Sequence, residues 1–163
     1  AMNPCPCGYR TDPRRECHCS VPQIERYMSR ISGPLLDRID IHMEVPNVPF
    51  EDLSKTTPGT SSESMREQVD KARAAQARRF AGKSTRTNAR MSSREVRQFC
   101  PLERPGAQLL QNCMADLGLS ARAYDKILRV ARTIADLAGS ESIQTSHLSE
   151  AINYRTLDRK MWT

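Results

Sequence analysis

Apolar side chains recur at steps of three and four residues through the last third of the chain, which predicts amphipathic helices. The clearest helix begins after Ser120, a residue type that caps helices, and ends before Gly139. Its apolar stripe consists of Tyr124, Ile127, Leu128, Ala131, Ile134, Ala135 and Ala138. Another helix is predicted over about residues 105–117, and a last one begins at Thr145 or Ser146.

Two weaker helix signals precede these. Ser62 or Ser64 can cap a helix that reaches about Phe80, and its low apolar content predicts that most of it is exposed. Residues 81–91 have the composition of a loop, and Ser92 then precedes a short helix. The second half of the chain is therefore predicted to be a bundle of four or five helices.

The first half of the chain has a different pattern. A helix is predicted from Pro22 to about residue 32. A period-two alternation follows and predicts a β-strand, whose apolar positions are Ile39, Ile41, Met43 and Val45. Residues 54–64 are polar and contain Pro and Gly, which is typical of a linker. We therefore expect a unit at 1–53 and a helical unit at 65–163.

Charge is concentrated in one quarter of the chain. The 163 residues carry 25 Lys and Arg against 19 Asp and Glu, a net charge of +6. Residues 65–104 hold 11 basic and four acidic residues, so all of the excess lies there. Such a segment favours a polyanionic partner or an acidic neighbouring subunit, although a solvated helix face has the same composition.

Composition also excludes some classes of protein. No apolar run approaches the roughly 18 residues of a transmembrane helix, and no secretion signal opens the sequence. We therefore expect a cytoplasmic protein. Aromatic residues make up only 5%, which argues against a platform that stacks single-stranded bases on rings.

Two close pairs of cysteines lie near the start of the chain with the spacing C-x-C-x9-C-x-C. They are Cys5, Cys7, Cys17 and Cys19. Four thiolates on Pro- and Gly-rich turns can hold one tetrahedral zinc ion, although the usual spacer has two to four residues. Two disulfides and four unliganded thiols are the alternatives, and His18 could replace one cysteine as a ligand. Cys100 and Cys113 lie in helical contexts and are predicted to be core residues.

A complete catalytic motif is missing from the sequence. Gly82-Lys83-Ser84 matches the end of a phosphate-binding P-loop, but Ala77 stands where that motif requires its first glycine. Paired carboxylates, a nucleophile elbow and a His-Glu-x-x-His motif are absent as well. The chain alone is therefore not expected to be a complete enzyme.

Four stretches together resemble one family. They are Met-Asn-Pro-Cys-Pro-Cys-Gly at 2–8, Ile-Ser-Gly-Pro-Leu-Leu-Asp-Arg-Ile-Asp at 31–40, Leu-Ser-Ala-Arg-Ala-Tyr at 119–124 and Ala-Arg-Thr-Ile-Ala-Asp-Leu at 131–137. They resemble the C-terminal part of ComM/YifB-type proteins, bacterial AAA+ ATPases related to the magnesium chelatase I subunit. The resemblance implies a mainly α chain, in which a helical AAA+ lid bundle follows the end of an α/β ATPase core with a Cys-rich loop.

The resemblance also implies roles for four residues. Asn3 matches the sensor-1 asparagine, Arg38 the arginine finger, and Arg122 sensor 2, with Arg129 as the second choice for that role. Arg38 would act on the nucleotide of a neighbouring subunit and Arg122 on that of its own. The plain alternatives are a surface ion pair between Asp37 and Arg38, and a solvated arginine at position 122.

The family resemblance further implies a function for the whole protein. That protein would be a homo-oligomeric, hexameric ring that uses ATP and Mg²⁺ and acts on DNA without sequence preference, in branch migration during natural transformation. The P-loop and the acidic Walker B residues would precede Asn3, so this fragment alone would be inactive. A magnesium chelatase I-type motor subunit and a free-standing zinc-containing binding module are the alternatives. The paired cysteines favour the DNA motor over the chelatase.

Overall fold

A computed structural model describes residues 1–54 and 59–155. Its regular elements are α-helices and one 3₁₀ turn, and no strand forms within these two ranges, so the expected mainly α fold is confirmed. The helices are α1 (Val21–Met28), α2 (Gly33–Leu36), α3 (Phe50–Ser54), α4 (Ser62–Arg79), α5 (Ser93–Phe99), α6 (Arg104–Leu117), α7 (Ala121–Leu137) and α8 (Thr145–Asn153), with the 3₁₀ turn at Asn88–Arg90. None of the helices described is long and apolar enough to cross a membrane.

Local capping signals place most of the helix ends. The Ser120 hydroxyl accepts a hydrogen bond from the Ala123 N–H at 3.3 Å, as an N-cap residue does. Gly118 ends α6 with a φ of 60°, a left-handed conformation that glycine adopts without steric cost. Two predicted caps are wrong by one residue, because Ser61 caps α4 and Gln144 precedes α8.

The core lies around α7, which packs against α4, α5, α8 and the 3₁₀ turn. Helix α6 in turn packs against α8. The buried residues of the core are Phe80, Met91, Val96, Cys100, Leu110, Ile127, Leu128, Ala131, Ala135, Ile143, Leu148, Ala151 and Ile152. The predicted stripe of α7 supplies four of them, since burying an apolar face is what stabilises such a helix. Cys100 is buried in this core and Cys113 packs against it, as predicted.

The predicted β-strand is wrong. Residues 41–49 have no regular structure, and the apolar side chains of Ile41, Met43 and Val45 are exposed. His42 is buried instead, and its backbone N–H donates to the Tyr154 carbonyl at 2.8 Å. A strand requires a neighbouring strand for its hydrogen bonds, and the described part of the chain offers none. Alternation of apolar and polar residues alone was therefore insufficient.

A buried ion network joins α4, the 3₁₀ turn and α7. The Asp136 carboxylate accepts hydrogen bonds from Arg79 at 2.5 and 2.7 Å, from Asn88 at 2.8 Å and from Arg132 at 3.1 Å. Burial alone would raise the pKa of Asp136, but the hydrogen bonds from Arg79 and Asn88 and the charge of Arg132 hold it below its ordinary value. The carboxylate is therefore ionised and satisfied although it is almost inaccessible to water.

We predict that Asp136→Asn destabilises the chain by about 3–5 kcal/mol, because it leaves two arginines in a buried site without their counter-charge. The free energy of unfolding measured in urea checks this. Asp116→Asn is the matched control, since it removes the same charge from an exposed position of α6. That control is expected to change stability by less than about 0.5 kcal/mol. Equal effects of the two substitutions would show that the network does not hold the bundle together.

Candidate functional site

A tight turn presents the first pair of cysteines. The Gly8 N–H donates to the Cys5 carbonyl at 3.0 Å, with Pro6 in the second position of the turn, where proline is favoured. Gly8 has a φ of 84°, which residues with a side chain rarely adopt. The turn brings the Sγ atoms of Cys5 and Cys7 to 3.3 Å from each other.

The second pair closes the cluster. The Cys17 Sγ lies 3.7 Å from that of Cys5 and 3.6 Å from that of Cys7. With Cys19, all four sulfur atoms lie within 4.8 Å of one another. Four sulfurs bound at about 2.3 Å to one tetrahedral zinc ion are about 3.8 Å apart, so the cluster has the dimensions of such a site. The same separations are too long for the roughly 2.05 Å bond of a disulfide.

Hydrogen bonds within the cluster shift the pKa values of Cys7 and Cys19 in opposite directions. The Tyr9 backbone and the Cys5 thiol lower the pKa of Cys7 to about 6, so its sulfur is a thiolate at neutral pH. The Cys7 backbone acts to lower the pKa of Cys19, but the Cys7 side chain and burial outweigh it and raise that pKa to about 12. The Cys19 thiol is thus kept protonated beside the Cys7 sulfur, and a bound cation would favour the ionised form of both. His18 is exposed and lies outside this group of ligands.

Side chains of the cysteine loop connect it to the following segment. Asp12 accepts a hydrogen bond from the Asn47 side chain at 2.6 Å and another from the Arg14 N–H at 2.8 Å. Asn3 is exposed and stands beside the turn, where its amide nitrogen would be 3.6 Å from a Cβ at Gly8. The asparagine that resembles sensor 1 therefore lies next to the turn that presents Cys5 and Cys7.

Arg38 lies in the turn that follows α2, and its side chain is exposed. Asp37 does not pair with it. The Asp37 carboxylate instead lies 3.7 Å from the Arg155 guanidinium and accepts a hydrogen bond from Ser120 at 3.4 Å. Among the residues described, none forms an ion pair or hydrogen bond with the Arg38 guanidinium. The surface ion pair that would explain Arg38 without a function is therefore not formed.

The two candidates on α7 differ in their surroundings. Arg122 is exposed in the first turn of the helix, and the described ranges hold no partner for its guanidinium. Arg129 is partly buried and lies 3.8 Å from Asp125 of the same helix. Because Ser120 contacts Asp37, the first turn of α7 adjoins the turn that carries Arg38. The structure thus brings Arg38 to the end of α7 that carries Arg122, and the described contacts do not include Asn3 in this junction.

Sequence reasoning missed the residues that hold this junction together. The Lys126 ammonium donates to the Arg38 carbonyl at 2.6 Å and lies 2.7 Å from the Asp40 carboxylate. Arg155 is buried and donates to the Ile39 carbonyl. No motif distinguishes either residue from the other basic residues of the chain, so no signal in the sequence could have found them. The P-loop-like Gly82 lies in a turn directly after α4, with no strand before it in the described ranges.

Comparisons with known proteins place the chain in a family. The family model "Magnesium chelatase, subunit ChlI C-terminal" matches residues 59–155, and the model "Magnesium chelatase, subunit ChlI" matches residues 1–53. YifB of Escherichia coli strain K12 is 45% identical over 161 residues, and competence protein ComM of Haemophilus influenzae is 44% identical over 160 residues. Each alignment covers 98% of this chain, which spans about 30% of the length of these curated relatives. The chain belongs to the magnesium chelatase subunit ChlI family of AAA+ proteins.

Proposed function

We propose that this chain is the C-terminal part of a cytoplasmic, ring-forming AAA+ ATPase that acts on DNA in branch migration, with six copies in the ring. The observation that carries the proposal is the state of Arg38. Its guanidinium is exposed and has no partner in the described ranges, while the residues on both sides of it are held by α7 and Arg155. An arginine presented in this way can reach a phosphate on another molecule.

Arginine suits this role because its planar guanidinium is always charged and can donate two parallel hydrogen bonds to phosphate oxygens. Phosphoryl transfer depends mostly on positioning and on stabilising charge in the transition state. In our proposal Arg38 acts on the nucleotide of a neighbouring subunit. The P-loop and the Mg²⁺-binding acid are supplied by parts of the protein outside this sequence, and the family relatives are more than three times as long as this chain.

We assign the sensor-2 role to Arg122 and the sensor-1 role to Asn3. Arg122 is favoured over Arg129 because its guanidinium is exposed, whereas that of Arg129 lies beside Asp125. An arginine in the first turn of a helix is disfavoured by the helix dipole, and that cost is consistent with a position kept for a ligand. The proximity of Arg38 and Arg122 at one junction makes it necessary to test which subunit each arginine serves.

The units of the chain fit this assignment. We propose that residues 1–53 complete the ATPase core and carry the cysteine loop, that 54–64 is a linker, and that 65–163 is the lid. The separate matches of the two family models to 1–53 and 59–155 support this division.

We propose further that the basic segment at 65–104 contacts DNA phosphates. Nine of its 11 basic residues are exposed: Arg66, Lys71, Arg73, Arg78, Arg86, Arg90, Arg94, Arg97 and Arg104. Arg79 is withdrawn into the Asp136 network, and Lys83 lies over the Phe99 ring at 4.8 Å. An exposed and mostly unpaired set of cations favours binding to a polyanion without reading its sequence.

Arg38→Ala in the full-length protein is expected to lower ATP turnover by between about 10-fold and about 10³-fold. Nucleotide affinity should stay within about twofold, because the arginine stabilises charge that develops only in the transition state. Steady-state hydrolysis and a nucleotide-binding titration measure the two effects. Arg26→Ala is the matched control, since Arg26 is an exposed arginine on α1, and it should leave both quantities unchanged.

Mixed rings test which subunit Arg38 serves. Arg38→Ala subunits that keep an intact P-loop are combined with P-loop-deficient subunits that keep Arg38. Activity should reappear at the interfaces where the intact P-loop and Arg38 meet. The same mixing with Arg122→Ala should give no recovery if Arg122 acts on the nucleotide of its own subunit. Verified mixed rings that remain inactive with Arg38→Ala would contradict a role in trans.

The chain itself is expected to bind duplex DNA weakly and without sequence preference, with an affinity that falls steeply as salt rises. Replacing Arg86, Arg90 and Arg94 by Ala should weaken binding and reduce the salt slope by up to about 0.9 for each arginine. Fluorescence anisotropy over a salt series measures both quantities. Replacing Arg10, Arg14 and Arg26 removes the same charge elsewhere and is the control. If no binding is seen at low salt, the segment serves subunit contacts instead.

We also propose that Cys5, Cys7, Cys17 and Cys19 hold one structural zinc ion. Protein purified without chelator should contain about one zinc per chain, with zinc–sulfur distances near 2.3 Å in X-ray absorption spectra. Cys17→Ser should abolish this stoichiometry, whereas Cys113→Ser, which changes a thiol on α6, should preserve it. A chelator should loosen residues 1–20 and leave the bundle folded, because the core cluster contains no residue from that stretch. Four freely titrating thiols and no metal would refute the site.

A further inference from the structure

Four consecutive residues, 37–40, are each bound by the helical unit. Lys126 of α7 donates to the Arg38 carbonyl at 2.6 Å and pairs with the Asp40 carboxylate at 2.7 Å. Arg155, which follows α8, donates to the Ile39 carbonyl and lies 3.7 Å from the Asp37 carboxylate. Two cations from different elements therefore converge on one short turn.

The amide side of the same turn is held by α2. The Arg38 N–H donates to the Leu35 carbonyl and the Ile39 N–H to the Leu36 carbonyl, both at 3.0 Å. Arg38 and Ile39 thus have their N–H groups bound to α2, whereas the Arg38 carbonyl is bound by Lys126 of α7 and the Ile39 carbonyl by Arg155 after α8. Since two backbone dihedral angles per residue set the direction of a side chain, this arrangement determines where the Arg38 side chain leaves the backbone.

Lys126 and Arg155, with their contacts to residues 37–40, form a clamp on this turn. Both cations are largely removed from water. Arg155 is 1% exposed, and the Lys126 side chain is 16% exposed. Burying a cation is costly unless it finds hydrogen-bond acceptors, and here each cation binds a backbone carbonyl beside a carboxylate. Each cation therefore restrains the direction of the backbone in this turn. An ion pair with a carboxylate alone would not supply that restraint. The Arg38 guanidinium at the centre of the turn is left exposed.

We propose that Lys126 is a positioning residue that, together with Arg155, aims Arg38 and couples its direction to helix α7. This inference rests on the proposed function of Arg38. Because Arg122 lies one helical turn before Lys126 on α7, the clamp links the two arginines rigidly. A movement of α7 when Arg122 meets a phosphate is transmitted to Arg38 through the Lys126 contacts.

Lys126→Met tests the proposal, since methionine keeps most of the side-chain volume and removes the ammonium. In the full-length protein, ATP turnover should fall by about 10- to 100-fold, the loss expected for a misplaced catalytic group. Nucleotide affinity should stay within about twofold. Lys126→Arg should restore part of the turnover, because arginine can donate to the same carbonyl. Arg26→Met is the control, since Arg26 is an exposed cation on α1 that lies outside the basic segment at 65–104 and outside the turn at 37–40.

A double variant separates positioning from a merely structural role. Arg38→Ala combined with Lys126→Met should be no slower than Arg38→Ala alone, because Lys126 acts through Arg38. Additive losses would overturn the proposal. Amide hydrogen exchange of this chain gives a second readout that needs no ATPase. Lys126→Met should speed exchange at Arg38, Ile39 and His42 and leave the protected amides of α7 unchanged. Faster exchange throughout the bundle would also overturn it.

The two proposals fail in distinguishable ways. If Arg38→Ala leaves turnover unchanged, the role of Arg38 is wrong, and hydrogen exchange still decides whether Lys126 restrains the turn. If Arg38→Ala lowers turnover and Lys126→Met does not, Arg38 keeps its role and the clamp is refuted.

Discussion

The helical unit depends on one buried carboxylate. Helix α4 is mostly polar and buries only Ala72 and Gln76 within its own length, so apolar contacts alone attach it weakly. Asp136 supplies the missing attachment, because its two oxygens accept hydrogen bonds from Arg79 at the end of α4 and from Asn88 of the 3₁₀ turn. Arg132 completes the arrangement from α7. Removing water from these charges is costly, and the network is stable only because each oxygen is saturated with donors.

The same network extends to the segment before α8. The Arg132 guanidinium donates to the carbonyls of Ser140 at 2.5 Å and Glu141 at 2.8 Å, just beyond the left-handed Gly139. Together with the buried apolar contacts between α7 and α8, these hydrogen bonds help to orient α8 and so to place Arg155 after it. Arg155 and Lys126 are the two cations that reach the Arg38 turn. A charge buried near the C-terminal end of α7 thus helps to define the surface near its N-terminal end, at which we propose nucleotide chemistry takes place.

The geometry of the cysteine loop, by contrast, depends on residues that are close together in the sequence. Pro6 and the positive φ of Gly8 form the turn that presents Cys5 and Cys7, and a second short-spaced pair completes the set. Among the residues that the structure describes, the buried apolar core includes none from this loop. In such a loop a metal ion would supply order that packing does not. Asn3, the proposed sensor-1 residue, lies beside the first turn of this loop.

The sequence by itself determined the features that depend on residues close together along the chain. Patterns within a few residues predicted the apolar stripe of α7, the caps at Ser92 and Ser120 and the end of α6 at Gly118. The spacing of the two cysteine pairs predicted the four-thiol group. The tertiary structure alone decided the rest. It withdrew Arg79 into a buried network, left residues 41–49 without a strand partner, and paired Asp37 with Arg155 across 118 positions of sequence. The physical reason is that a charge or an alternating apolar segment is stabilised by whichever group the fold brings opposite it, and local sequence carries no record of that partner.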